Sequence, residues 1–154
     1  MKRVAVLSNI NIDNALMGIR SRFELYQPSG YGVWVQEIMN ENSGLYSFSP
    51  EAVFIIVDGD ELLKSCETLD NVRLEIDRTA GFLRHAAEKH NKTAFFVSTV
   101  DLPQKKIRTV KNSLFERVAE GDWSDMVAEL SLMLSNVYPF DLKRAVEQIG
   151  REQI

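Results

Sequence analysis

The sequence has few of the residues that build disulfides, metal sites and membrane spans. Its 154 residues include one cysteine, Cys66, which excludes an internal disulfide and a multi-cysteine zinc site and is typical of a reducing cytosol. No segment approaches the roughly 18 consecutive apolar residues that span a membrane. The opening stretch MKRVAVLSNINID turns polar after four apolar residues, unlike a signal peptide. We therefore expect a cytoplasmic protein with no membrane partner.

Charge and composition argue against a nucleic-acid partner. The formal net charge is −4 and the sequence pI is about 5.3, whereas nucleic-acid-binding domains carry a basic excess. Apolar residues make up 45% of the chain and charged residues 26%, which is ordinary for a globular protein. A chain of this length matches one domain that buries roughly two-thirds of its unfolded surface. We expect residues 1–154 to form a single domain.

Short apolar runs alternate with helical patterns along the chain. The runs predict strands at 4–7, 23–26, 53–57, 93–98 and 137–140. Helices are expected at 13–22, 31–39, 69–90, 112–134 (with a possible break at 121–122) and 141–149. This alternation favours a parallel sheet covered on both faces. Right-handed crossovers then favour a flavodoxin-like three-layer α/β/α fold with strand order 2-1-3-4-5.

In such a sheet, ligands bind at the carboxyl ends of the strands, where the strand order reverses. Here the reversal lies between the first and third strands. Asn9 can orient a substrate there or satisfy loop amides, as short polar side chains often do. The candidate ligand-binding residues in the surrounding loops are Ser8, Asn9, Gly30, Tyr31, Gly32, Asp58, Gly59 and Asp60.

The stretch VFIIVDGDEL at 53–62 is typical of the active site of haloacid dehalogenase (HAD) phosphatases, in which Asp-x-Asp follows a buried strand. Asp58 would be the nucleophile and Asp60 the general acid, beside a magnesium ion held by carboxylates. Ser98 or Thr99 would supply the hydroxyl group of such a site. The acidic pair that closes the magnesium site after a later strand is missing, and Asp60 can equally cap a helical turn that starts at Glu61.

Esterases of the SGNH type share this layer arrangement and motif order. Aligned by strand ends, the segment at 8–10 replaces their Gly-Asp-Ser with Ser-Asn-Ile, so an isoleucine occupies the nucleophile position. Asp60 falls where an oxyanion donor is expected, and a carboxylate there opposes catalysis. The late histidine is absent, because His85 and His90 both fall in the long central helix. No triad can be assembled, although Ser8 is a candidate for a displaced nucleophile.

Five segments resemble, in order, the N-terminal part of FkbH-like proteins. They read VAVLSNINID, YQPSGYGVWVQEIMN, LYSFSPEAVFIIVDGDEL, TAFFVSTVDLP and VYPFDLKRAVEQIG, and they span nearly the whole chain. FkbH-like proteins join an SGNH-like N-terminal domain to a C-terminal HAD-type domain of subfamily IIIC. In some members that second domain handles a glyceryl phosphate and loads a glyceryl unit onto an acyl carrier protein. Other members lie in surface-polysaccharide gene clusters.

The resemblance implies that the catalytic Asp-x-Asp belongs to the C-terminal domain, so Asp58 and Asp60 would not be catalytic. It implies a degenerate, non-catalytic domain without a cofactor, with magnesium expected only in the C-terminal domain. The implied partners are that domain of the same polypeptide, an acyl carrier protein or a sugar-related small molecule. The chain would be the N-terminal part of a longer protein or a short stand-alone version. An active hydrolase using Ser8, or Asp58 with Asp60 and magnesium, is the alternative.

Overall fold

Strands and helices alternate in the computed structural model, which describes residues 2–9, 16–17, 20–28, 33–59, 62, 66–99 and 110–141, with the backbone alone at 110–116. The strands are β1 (Arg3–Ser8), β2 (Glu24–Tyr26), β3 (Ala52–Ile56), β4 (Ala94–Ser98) and β5 (Val137–Phe140). The helices are α1 (Trp34–Met39), α2 (Gly44–Phe48), α3 (Leu69–Lys89) and α4 (Val110–Met133). None of the helices in these ranges is both long and apolar enough to cross a membrane.

The strands form one parallel sheet in the order β2-β1-β3-β4-β5, which confirms the predicted three-layer α/β/α fold. β1 and β3 lie side by side near the centre, with Ser8 opposite Ile56. At the same edge, Ser98 of β4 lies opposite Phe140 of β5. The carboxyl ends of β1, β3 and β4 therefore meet at one edge of the sheet.

Alternate residues of each strand face opposite sides of the sheet. Ala5 and Leu7 of β1 face the larger core cluster, which also contains buried residues of α1, α3 and α4. Val4 and Val6 face the other side, where they pack with Leu16. Burying each large apolar side chain contributes roughly 1.5–3 kcal/mol. The larger cluster therefore provides most of the apolar stabilisation among the described residues.

Helix α3 has the sequence signals of a long surface helix. Thr68 caps its first turn, since the Thr68 side chain accepts a hydrogen bond from the Asn71 N–H at 3.1 Å. Lys89 in the last turn complements the negative end of the helix dipole. The inward face carries buried residues at helical spacing: Val72, Ile76, Thr79, Leu83, Ala86 and Ala87.

The helices differ from the prediction at two places. The possible break at 121–122 does not occur, because α4 continues through Gly121, which faces open space, and Asp122 pairs with Arg73 at 3.4 Å. The sequence predicts no helix at 44–48, yet Gly44–Phe48 forms α2, which is too short to give a detectable period. Half of the helix predicted at 13–22, and all but the first residue of the helix predicted at 141–149, lie outside the described residues.

Candidate functional site

The carboxyl edge of the sheet brings together candidates from two loops. Ser8 ends β1 and is buried, and Asn9 follows it half-buried. Asp58 and Gly59 follow β3, with Asp58 half-buried and Gly59 buried. The other candidates, Gly30, Tyr31, Gly32 and Asp60, lie outside the described residues.

Asn9 makes a reciprocal pair of hydrogen bonds with the backbone of Asp58. Its Nδ2 donates to the Asp58 carbonyl oxygen at 3.1 Å, and its Oδ1 accepts from the Asp58 N–H at 2.7 Å. A side-chain amide thereby takes the place of a backbone peptide and extends the β1–β3 pairing beyond Ser8 and Ile56. Of the two roles expected for Asn9, the structure shows the second: its side-chain amide satisfies the backbone groups of the loop at Asp58.

Asp58 stands immediately before a helical turn. Its carbonyl oxygen also accepts from the Leu62 N–H at 3.1 Å, and Gly59 and Leu62 have helical geometry. Aspartate is among the preferred residues at such a position. The turn begins at Gly59, earlier than the Glu61 start expected from the sequence.

Ser98 performs a similar structural role one strand further along. The residue is fully buried, and its Oγ accepts a hydrogen bond from the Val57 N–H at 2.9 Å. Its carbonyl oxygen accepts from the indole Nε1–H of Trp123 at 2.9 Å. The side chain therefore joins β3 to β4, while the carbonyl ties the end of β4 to α4. A serine at the end of an apolar run was the only sequence signal of this junction.

A second polar network fixes α1 and α2 beside β2. The Glu37 carboxylate accepts from the Tyr26 hydroxyl at 2.8 Å and from the Leu45 N–H at 3.2 Å. The Glu37 carbonyl accepts from the Ser43 hydroxyl at 2.7 Å. Burial and the neighbouring Glu37 carboxylate raise the pKa of Tyr26 to about 12. This phenol is therefore a neutral hydrogen-bond donor at physiological pH.

Both histidines of the chain lie toward the opposite, amino edge of the sheet. His90 is the C-cap of α3, in the turn before β4, and His85 lies about one turn earlier on the exposed face of that helix. A five-residue strand such as β4 spans roughly 16 Å, which separates His90 from the carboxyl edge. Because the sequence holds only these two histidines, no histidine stands beside Ser8 or Asp58 as a general base.

The described residues offer no ready-made metal centre. No group of three or more His, Cys, Asp or Glu side chains among them is placed to hold an ion. The described part of the carboxyl edge thus consists of short polar side chains bonded to the backbone, with one half-buried carboxylate on Asp58. Among the described residues of this edge, no histidine is available to activate a hydroxyl group as a nucleophile.

A solved structure shares this fold. It is the crystal structure of the N-terminal part of the protein BF1531 from Bacteroides fragilis, which contains a phosphatase domain and is complexed with Mg. The two chains superpose with a TM-score of 0.78 at 17% sequence identity, over 98% of this chain and 43% of that one. This chain therefore spans less than half of the protein that it resembles. No family model matches the sequence, and no curated protein matches it.

Proposed function

We propose that this chain is a non-catalytic, SGNH-like domain of an FkbH-like protein. It acts as a scaffold or binding module for a C-terminal HAD-type phosphatase or glyceryl-transfer domain, in secondary-metabolite or surface-polysaccharide biosynthesis. The placement of the histidines carries the proposal. An SGNH-type esterase needs an imidazole within hydrogen-bond reach of its nucleophile, whereas His85 and His90 lie toward the other edge of the sheet from Ser8.

The hydrogen bonds at the carboxyl edge support the same role. The Asn9 amide holds both backbone groups of Asp58, and each bond contributes about 1 kcal/mol net. The fully buried Ser98 hydroxyl accepts from the Val57 N–H. Both side chains therefore have a role in holding this end of the sheet, on which another domain would rest.

The fold comparison supports a partner domain. The matched region is 43% of a longer chain, which contains a phosphatase domain and is complexed with Mg. By analogy, this chain would be followed by a HAD-type domain, and magnesium would be bound there. The acyl carrier protein and the sugar-related ligand are further proposals that follow from the sequence resemblance alone.

The size of the native product tests the partner domain. An immunoblot of the source cells with an antibody against this domain should show a band well above 17.5 kDa, the mass of this chain. A band at 17.5 kDa would overturn the proposal of a partner in the same polypeptide.

Hydrolysis assays test the non-catalytic character separately. We expect no turnover of p-nitrophenyl acetate, or of p-nitrophenyl phosphate with Mg²⁺, by the purified chain. Turnover of the ester that disappears in Ser8→Ala, or of the phosphate that disappears in Asp58→Asn, would establish the alternative hydrolase. Asp77→Asn, at an exposed position on α3, is the matched control for removal of a carboxylate.

A further inference from the structure

A groove runs along the surface between helices α3 and α4. It consists of two adjoining cavities of about 270 and 190 Å³, which share Ala80, Met126 and Glu129 in their walls. Buried apolar residues of both helices form the floor. On α3 the lining extends from Arg73 to Arg84, which is about three helical turns. The groove is therefore long enough to receive part of another helix.

One end of the groove carries carboxylates that lack a cationic partner. Asp77 of α3 and both Asp125 and Glu129 of α4 line this end and are exposed. None of them takes part in an ion pair among the described residues. Arg73 lines the same end but is already paired with Asp122 at 3.4 Å. A cation from outside would therefore find complementary charge here.

The other end of the groove carries a glycine near the middle of α3. A glycine in the interior of a helix costs roughly 0.5–1 kcal/mol relative to alanine. A methyl group on Gly81 would point into open space, so the packing of the described chain does not require a glycine there. Its exposed backbone, next to Ala80, allows another backbone to approach closely. Met133 lines the same end and is 56% exposed, so it offers apolar surface to such a partner.

The charges of α3 are arranged symmetrically about Ala80–Gly81. Asp77 lies as many positions before this pair as Arg84 lies after it. Arg73 and Glu88 are likewise equidistant from it. Arg84 and Glu88 pair with each other at 3.0 Å, which places them on one face of the helix, and their side chains are still 53% and 50% exposed. Helix α3 is therefore complementary in charge to an antiparallel copy of itself.

We propose that this groove is the interface of a symmetric dimer, in which α3 of a second copy lies antiparallel against α3 and crosses it at Ala80–Gly81. Each contact occurs twice in a dimer with two-fold symmetry. Arg84 of each copy enters the acidic end of the other groove beside Asp77, and Arg73 faces Glu88 of the other copy. Helix α3 has 21 residues and is about 30 Å long. An interface of this size is near the lower limit for specific complexes and supports a Kd on the order of 10 μM.

Sedimentation equilibrium of the purified chain measures this association. The mass should rise from 17.5 kDa toward twice that value as the concentration increases from about 1 to about 200 μM. Arg84→Glu sets like charges against each other at Asp77 and should raise the Kd about tenfold or more. Asp77→Arg combined with Arg84→Glu exchanges the two charges and should return the Kd to within about threefold of wild type. Arg78→Glu, exposed and outside the groove lining, is the matched control and should leave the Kd within about twofold.

Gly81→Ala separates association from stability. The added methyl group lies at the crossing point and should raise the Kd about threefold or more, although it should stabilise the fold. Gly121→Ala is the matched control, because Gly121 also faces open space in a helix and does not line the groove. It should stabilise the fold to a similar extent and leave the Kd unchanged. Weaker association in a more stable variant cannot come from unfolding.

Three results would overturn the proposal. A mass of 17.5 kDa at every concentration would show that no second copy binds. A Kd that neither Arg84→Glu nor Gly81→Ala changes would place the association on another surface. Equal losses in Arg84→Glu and Arg78→Glu, or a double variant that fails to recover, would remove the contact between Asp77 and Arg84. None of these results bears on the proposed scaffold function, which concerns the carboxyl edge and a partner domain.

Discussion

Replacing Asn9 by alanine tests whether this side chain holds the fold or is available to a ligand. The change removes both hydrogen bonds to the Asp58 backbone, at 2.7 and 3.1 Å. The Asp58 carbonyl oxygen keeps its bond from the Leu62 N–H, so the main loss falls on the Asp58 N–H. Two bonds at about 1 kcal/mol each, in a half-buried position, predict a loss of about 2 kcal/mol in the free energy of unfolding.

Asn9→Asp refines the test because it keeps the hydrogen-bond acceptor of the side chain and replaces the Nδ2 donor by a second acceptor. A carboxylate oxygen can still accept from the Asp58 N–H, but the second oxygen replaces the Nδ2 donor and faces the Asp58 carbonyl oxygen. One favourable contact is retained and one becomes repulsive. We therefore expect Asn9→Asp to cost at least as much as Asn9→Ala, although the side chains of asparagine and aspartate have nearly the same shape.

Urea unfolding measures these losses, and a melting curve gives an independent value. For a chain of this length, about 2 kcal/mol corresponds to a decrease of roughly 4–8 °C in Tm. Asn71→Ala, at an exposed position in the first turn of α3, is the control and should stay within about 0.5 kcal/mol of wild type. Unchanged stability in Asn9→Ala would refute the structural role and leave the amide free to orient a ligand.

Three further predictions concern contacts away from the candidate site. Gly44→Ala would place a methyl group against the Tyr26 hydroxyl and should cost about 1–3 kcal/mol in urea unfolding. Gly81→Ala, whose methyl group meets open space, should instead gain up to about 1 kcal/mol; a gain at both positions would refute the contact. Asn136→Ala removes the hydrogen bonds that the Asn136 Nδ2 group donates to the carbonyl oxygens of Ala87, His90 and Thr93. It should lower the free energy of unfolding by about 2 kcal/mol and speed amide hydrogen exchange in the turn before β4. Unchanged exchange would contradict this role of Asn136. Burial is the main cause that raises the pKa values of both Tyr26 and Tyr46 to about 12, from the usual 10.0. The unfolded chain therefore loses these protons first, and the free energy of unfolding should fall as the pH rises from about 10 through about 12. A flat dependence over that range would contradict this.

The strands could be predicted because their signal is local. The runs at 4–7 and 53–57 are rich in β-branched residues and bounded by polar residues, and both fall on strands of the sheet within one residue. Parallel pairing and strand order then followed from the alternation with helices and from the handedness of crossovers. Helix α3 was equally visible, since its apolar period extends over five turns.

The missed features depend on contacts between distant parts of the chain. The Asn9–Asp58 pair joins residues 49 positions apart, and the stack of Tyr46 on His90 joins two helices. Neither leaves a periodic trace in the sequence. Asparagine after a strand indicated two possible roles, and only its geometry distinguished them. Helix α2 was missed because its five residues are too few to establish a helical repeat.

The polar groups of the described carboxyl edge hold the fold at two points. The Asn9 amide bonds to both backbone groups of Asp58, and the Ser98 hydroxyl accepts from the Val57 N–H of the neighbouring strand. Each of these bonds contributes about 1 kcal/mol net to stability. Changes at either position should therefore lower the free energy of unfolding, so any binding assay on Asn9 or Ser98 variants has to be read together with their unfolding curves.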